Sequence, residues 1–289
     1  MCIRDRGGAY SFTPATTLED GTYSISATAT DGAGNTGAAS RAVSLMVDTV
    51  VPGAPVLSVT TPTNDSTPEM GGTAEAGATV TIYSGGTQLG QTTVTGGGVI
   101  SFEPTTVMSD GSYTLTATAT DGAGNTSPAS GAVSLVVDTV SPGVPTISGT
   151  SPTNDATPVL TGTAEAASTV TVYDGGTALG QATADTGGLY SFVSGTLSEG
   201  GHVITVTARD AAGNTSGASG SLSLVVDQTA PEITLTGGEV TVAHAGTYTD
   251  PGATAQDGVD GTMSVEAVSY THLRAHETVL DLVCRLLLE

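Results

Sequence analysis

Residues 110–127 read DGSYTLTATATDGAGNTS. Tyr113, Leu115, Ala117 and Ala119 fall on one face of this stretch, and Thr114, Thr116, Thr118 and Thr120 on the other. A period of two is the side-chain spacing of a β-strand, and a Thr-rich face suits a strand wetted on one side. Turn residues bound it: Asp110-Gly111 before, and Asp121-Gly122-Ala123-Gly124-Asn125 after. Working outward, Val133, Leu135 and Val137 alternate with Ser134 and Val136. Upstream, Val80 and Ile82 alternate with Thr79, Thr81 and Tyr83, and Gly85-Gly86 and Gly96-Gly97-Gly98 mark turns.

The stretch recurs. ATDGAGNT occurs at 29–36 and 119–126, and ARDAAGNTS at 208–216. The strand-end blocks LMVDTV, LVVDTV and LVVDQT place Asp48, Asp138 and Asp227 at offsets of 90 and 89. The block 61–91 returns as 151–181, and YSF, ISF and YSF stand at 10–12, 100–102 and 190–192. The chain therefore divides into the second half of one repeat (7–51), two whole repeats (52–141 and 142–230) and a different segment (231–268). About seven short strands in roughly 90 residues is the strand number and size of an immunoglobulin-like β-sandwich. The expected fold is all-β, with tandem sandwiches of about seven strands each. Tyr23 and Tyr113, each after an Asp-Gly turn, stand where a tyrosine corner returns its hydroxyl to the backbone; the third copy has His202 there, read as a structural substitute.

Composition narrows function. The 289 residues carry a net charge of −22 with 12% charged residues, 40 Gly and no Trp. Between Gly7 and Val268 only Arg41 and Arg209 are basic, against 24 acidic residues. Such a surface repels nucleic acid and anionic membranes and suits divalent cations. No apolar run approaches the roughly 20 residues of a membrane helix, so no membrane insertion is expected. The ends differ from the body. MCIRDR (1–6) and SYTHLRAHETVLDLVCRLLLE (269–289) resemble translated sequencing-adapter read-through. The alternative for the second is a short helix with Leu280, Leu282, Val283 and Leu286 on one face. Cys2 and Cys284, the two cysteines, lie in these ends, so the body has no disulfide.

The ordered blocks SPTNDATPVLTGTAEAASTVTVYDGG (151–176), YSF, DGSYTLTATATDGAGNTS and LVVDT resemble the tandem bacterial Ig-like domains of large surface adhesins and biofilm-associated proteins. YTDPGATAQDGVDG (248–261) resembles the opening of another bacterial Ig-like family. That domain is cut off before its last strands, and a partial sandwich exposes core and edge, so 231–268 is expected to fold poorly alone. The resemblance implies a structural stalk of a cell-surface or extracellular adhesin, serving adhesion or biofilm formation. Its partners are neighbouring repeats, with any host or matrix ligand bound by regions outside 1–289. The alternatives are a glycan- or protein-binding module and an accessory region of a secreted hydrolase.

No catalytic constellation is visible. The body has two His, His202 and His244, and no GxSxG elbow, HExxH or phosphate-binding loop; no enzyme is expected. The recurrent oxygen-bearing positions are Asp121/Asn125 and Asp210/Asn214 in the glycine loop, Asp48, Asp138 and Asp227 at strand ends, and Asp65 and Asp155 in the PTND turns. Two roles stay open. The Asp and Asn side chains hold their own loop as Asx turns, with Gly122 and Gly124 at positive φ. Alternatively, the strand-end Asp, linker carbonyls and a loop or PTND turn of the neighbouring domain supply the six to eight oxygens that calcium needs. The resemblance implies such interdomain calcium. The loop is no EF-hand, since Ala123 stands where its third position needs Asp or Asn.

Overall fold

The computed structural model describes residues 2–4, 10–237 and 252–265. Among them every regular element is a β-strand. The chain forms two compact units: Met1–Val140 with Ala211–Asn214, and Ser141–Asp210 with Thr215–Glu289.

In the first unit, β1 (Cys2–Arg4) pairs with β2 (Tyr10–Phe12), and β3 (Gly21–Ile25) with β4 (Val43–Val47). The whole repeat follows with β5 (Val56–Val59), β6 (Met70–Thr73), β7 (Thr79–Ser84), β8 (Thr87–Thr93), β9 (Val99–Phe102), β10 (Gly111–Thr120) and β11 (Val133–Val137). These seven strands make two antiparallel sheets, ordered β5-β6-β9 and β11-β10-β7-β8. The alternation read in 110–127 is the cause. Leu115, Ala117 and Ala119 of β10 are buried with Leu135 and Val137 of β11 and Val80 and Ile82 of β7; Met70, Ile100 and Phe102 close the core from the other sheet.

The half repeat shows what the missing sheet does. Ile25 and Leu45 align with Leu115 and Leu135 and share their cross-strand pairing. Yet they are 47% and 40% exposed, against 1% and 0% in the whole repeat. A two-stranded ribbon covers one face of nothing; burial needs the second sheet.

The second unit repeats the sandwich with β12 (Val159–Thr163), β13 (Thr169–Asp174), β14 (Thr177–Thr183), β15 (Leu189–Val193), β16 (Gly200–Arg209) and β17 (Leu222–Val226). Leu160, Val170, Val172, Ile204, Val206, Leu224 and Val226 form its core. The seventh strand of the expectation is reduced here to hydrogen bonds from Thr146 N to Thr163 O (2.8 Å) and Ser148 N to Thr161 O (2.7 Å), with one bridge between Ser148 and Thr161. Gly149 stands where the other repeat has Val59 and cannot contribute a strand side chain. After it, β18 (Glu232–Leu235), β19 (Ala253–Asp257) and β20 (Gly261–Met263) form a three-stranded antiparallel sheet. His244, residues 1, 5 and 6 of the first end, the whole stretch 269–289 and the remainder of 231–268 lie outside the described residues.

The tyrosine corner is present. Tyr23 Oη donates to Glu19 O (2.8 Å) and Tyr113 Oη to Ser109 O (2.6 Å). His202 takes the same place: Nε2 lies 2.9 Å from Ser198 O, again four residues back. Its Nδ1 lies 2.7 Å from Asp174 Oδ2 on β13. Both ring nitrogens face acceptors, so only the doubly protonated ring satisfies both. The Ser198 carbonyl, then Asp174, accordingly raise the His202 pKa above its ordinary value of 6.5. A raised native pKa contributes stability that is complete below the unfolded pKa and fades as pH climbs through the native one. The repeat 142–230 therefore loses stability relative to a His202→Tyr variant as pH rises from about 6.5 through the raised native pKa, measured as the difference in urea midpoint between the two proteins. Parallel midpoints across that range would remove the imidazolium from the corner.

Candidate functional site

The glycine loop leaves β10 at Thr120 and is closed from within. Asp121 N donates to Asn125 O (3.1 Å). Asp121 Oδ1 accepts from the backbone N of Ala123 (2.9 Å), Gly124 (2.8 Å) and Asn125 (2.9 Å), and Oδ2 from Asn125 Nδ2 (2.9 Å). The Asn125 amide, then the backbone donors, hold the Asp121 carboxyl below the ordinary carboxylate value, and Asp31 is lowered by the same set in its own loop. Gly124 takes φ +97°, as a left-handed turn position requires. Gly122, expected to share that conformation, is not at positive φ; the carboxylate reaches three consecutive N–H groups with one left-handed residue.

The strand-end aspartates are also turn formers. Asp48 Oδ1 accepts from Val50 N (3.1 Å), Asp138 Oδ1 from Val140 N (3.1 Å) and Asp227 Oδ1 from Thr229 N (3.2 Å). The PTND aspartates do likewise: Asp65 and Asp155 each accept from the N of the Thr two residues on, at 2.8 Å. The PTND turn beside each strand end is that of the same repeat. Asp138 N donates to Thr63 O (2.9 Å) and Asp227 N to Thr153 O (2.8 Å). The sequence grouping had set each strand end with the PTND turn of the following domain. Thr63 and Thr153 instead run parallel to the last strand of their own sandwich and extend it by one bridge each.

A neighbouring loop does reach a strand end. Asn125 Nδ2 also donates to the main-chain carbonyl of Asp48 (3.0 Å), and Asn214 Nδ2 to that of Asp138 (2.7 Å). Both pairs lie inside the first unit, to which Ala211–Asn214 belong. Among the described residues no three or more His, Cys, Asp or Glu converge as a metal-binding group.

Two further sets of residues hold these ends and were not singled out from the sequence. Asp110 Oδ1 accepts from both N and Oγ1 of Thr139 (2.9 Å each), and Asp20 from those of Thr49 (3.0 and 2.9 Å), so the corner before β10 clasps the residue after the strand-end Asp. After the loop, Ser127 Oγ and Ser130 Oγ accept from Ala119 N and Ala117 N (2.9 Å each), replacing a strand partner. The signal was the recurrence of Ala-Ser at 39–40, 129–130 and 218–219.

A family model described as Bacterial Ig-like domain matches residues 2–49, 58–139 and 145–228. The chain belongs to the bacterial Ig-like domain family. Two curated relatives are larger proteins. Exoglucanase B of Cellulomonas fimi is 31% identical over 280 residues, covering 87% of this chain and 24% of that protein. Chitinase A1 of Niallia circulans is 41% identical over 138 residues, covering 43% of this chain and 18% of that protein. The chain thus spans a quarter or less of the relatives' length. Among solved structures, a tetra-tandem repeat in the extending region of a large adhesion protein is 25% identical with a TM-score of 0.30, covering 82% of this chain and 65% of that one. Among the described residues no helix is long and apolar enough to cross a membrane.

Proposed function

We propose that these Ig-like domains form a non-enzymatic stalk segment of a bacterial cell-surface or secreted adhesin, extracellular in location, which carries load between functional parts elsewhere in the protein and so supports adhesion or biofilm formation. One observation carries this: the end loops of the whole repeats spend their polar groups on backbone. Asp121, Asp138, Asp65 and Asp110 each hold a turn or a strand end, and the same positions recur copy after copy. A binding module varies its end loops; a spacer keeps them. Calcium belongs to the proposal as a stiffening ion, taken by the remaining lone pairs of Asp48, Asp138 and Asp227 with nearby carbonyls, at extracellular-grade affinity of about 10⁻⁴–10⁻³ M. The second reading, an accessory spacer of a secreted polysaccharide hydrolase, is favoured by the exoglucanase and chitinase among the curated relatives.

Single-molecule pulling of the full chain tests the stalk. We expect two main unfolding events, each releasing about 30 nm of chain for a 90-residue domain, with higher forces in millimolar calcium than in EDTA. Extension without force peaks rules out a load-bearing role. Retention of the same protein on cellulose or chitin would replace it with the binding module.

A further inference from the structure

We infer that the glycine-loop asparagine is a junction residue: the side-chain amide of Asn125, and of Asn214 in the next copy, recognises the strand-end carbonyl of the preceding repeat and fastens it without a metal. The loop is built before it docks. In the half repeat, Asp31 Oδ1 accepts from Ala33 N and Asn35 N, and Asp31 Oδ2 from Asn35 Nδ2, all at 2.9 Å. Apart from the Gly124 N bond, that is the bond set of the 121–125 loop, formed among the described residues with no strand-end carbonyl given to Asn35. In Asn35 and Asn125 one amide hydrogen is spent on the Asp of the loop, and an amide nitrogen carries a second to donate. In the two later copies that second hydrogen finds the same acceptor, the main-chain oxygen of Asp48 (3.0 Å) or Asp138 (2.7 Å). The acceptors are as regular as the donors. Each sits one residue before the Thr that a corner carboxylate clasps, Asp20 for Thr49 and Asp110 for Thr139, so the carbonyl is held in place before it is met. At the Asp138 junction a second bond adds register: Asn64 N, in the PTND turn, donates to Ala212 O (3.1 Å).

The surface therefore selects its partner. It fits a strand end followed by a clasped Thr and flanked by a PTND turn, which is another copy of this repeat. A fixed donor meeting a fixed acceptor loses little entropy on docking. An Asp in place of the Asn would keep the volume and set a carboxylate against a carbonyl.

The test uses the full chain with Cys2 and Cys284 replaced by serine and spin labels at the exposed positions Met46 and Val99, one on each side of the Asn125–Asp48 junction inside the first unit, each changed to cysteine. Distances are measured in EDTA by pulsed electron resonance. A single narrow distribution is expected for the parent. Asn125→Ala and Asn125→Asp should raise the population of a broad, undocked component roughly fivefold, the loss of one hydrogen bond of ordinary strength. Asn35→Ala, which touches only bonds within a loop, should leave the distribution unchanged. An unchanged distribution in both Asn125 variants overturns the inference. So does a parent that is broad in EDTA and narrow only with calcium, which would hand the junction to a metal. The inference does not depend on whether the array serves an adhesin or a hydrolase.

Discussion

Leu224→Ala lowers the stability of the repeat 142–230 by about 3 kcal/mol, a fall of about 15 °C in its melting temperature. Leu224 is 0% exposed at the centre of β17, among Leu160, Val170, Val206 and Ile204. Removing its branched end forfeits the transfer free energy of the lost methyl groups and leaves a void, because close-packed neighbours on two sheets relax little. The measurement is thermal unfolding of the full chain. A loss below about 1 kcal/mol would mean the core is not closed around Leu224.

Gly72→Ala is expected to cost about 3 kcal/mol in the repeat 52–141. Gly72 has φ +150°, where an L side chain is strained, and a Cβ built there would sit 2.0 Å from Val56 O. That oxygen belongs to β5, paired with β6 in the register Leu57 to Gly72. A methyl group forces β5 away and lifts Leu57 from the core. A Cβ built on Gly162, its counterpart, would sit 2.1 Å from Thr146 O, so the close approach is built into both copies. Gly71→Ala is the control: its Cβ would meet Ser58 Oγ at 3.3 Å, which a small side-chain movement relieves, and it should cost less than about 1 kcal/mol. Equal losses in urea denaturation for Gly71→Ala and Gly72→Ala would argue against the crowding.

The strands were legible because the period-two pattern and the physical cause of burial are the same thing. Leu115, Ala117 and Ala119 face inward in the sequence and in the fold. The corner at Tyr113 was legible from its Asp-Gly turn, and His202 from its alignment with it. The weak first strand of the third copy was not, because one substitution, Gly149 for Val59, decides it through a neighbour distant in sequence. The roles of the acidic positions were half legible. Recurrence could nominate Asp121, Asp138 and Asp65, but a carboxylate that holds a turn and one that awaits a cation look alike in a sequence. The junction bond from Asn125 to Asp48 O was hidden for a different reason: its acceptor is main chain, which every residue possesses.

The central claim is that each whole repeat is a self-sufficient load-bearing unit with its own core. Differential scanning calorimetry of the full chain beside its Leu224→Ala and Gly72→Ala variants tests it directly. Two transitions are predicted for the parent, one shifted down by Leu224→Ala, the other by Gly72→Ala, and each left within about 2 °C by the other substitution. A single transition moved equally by both variants would contradict it.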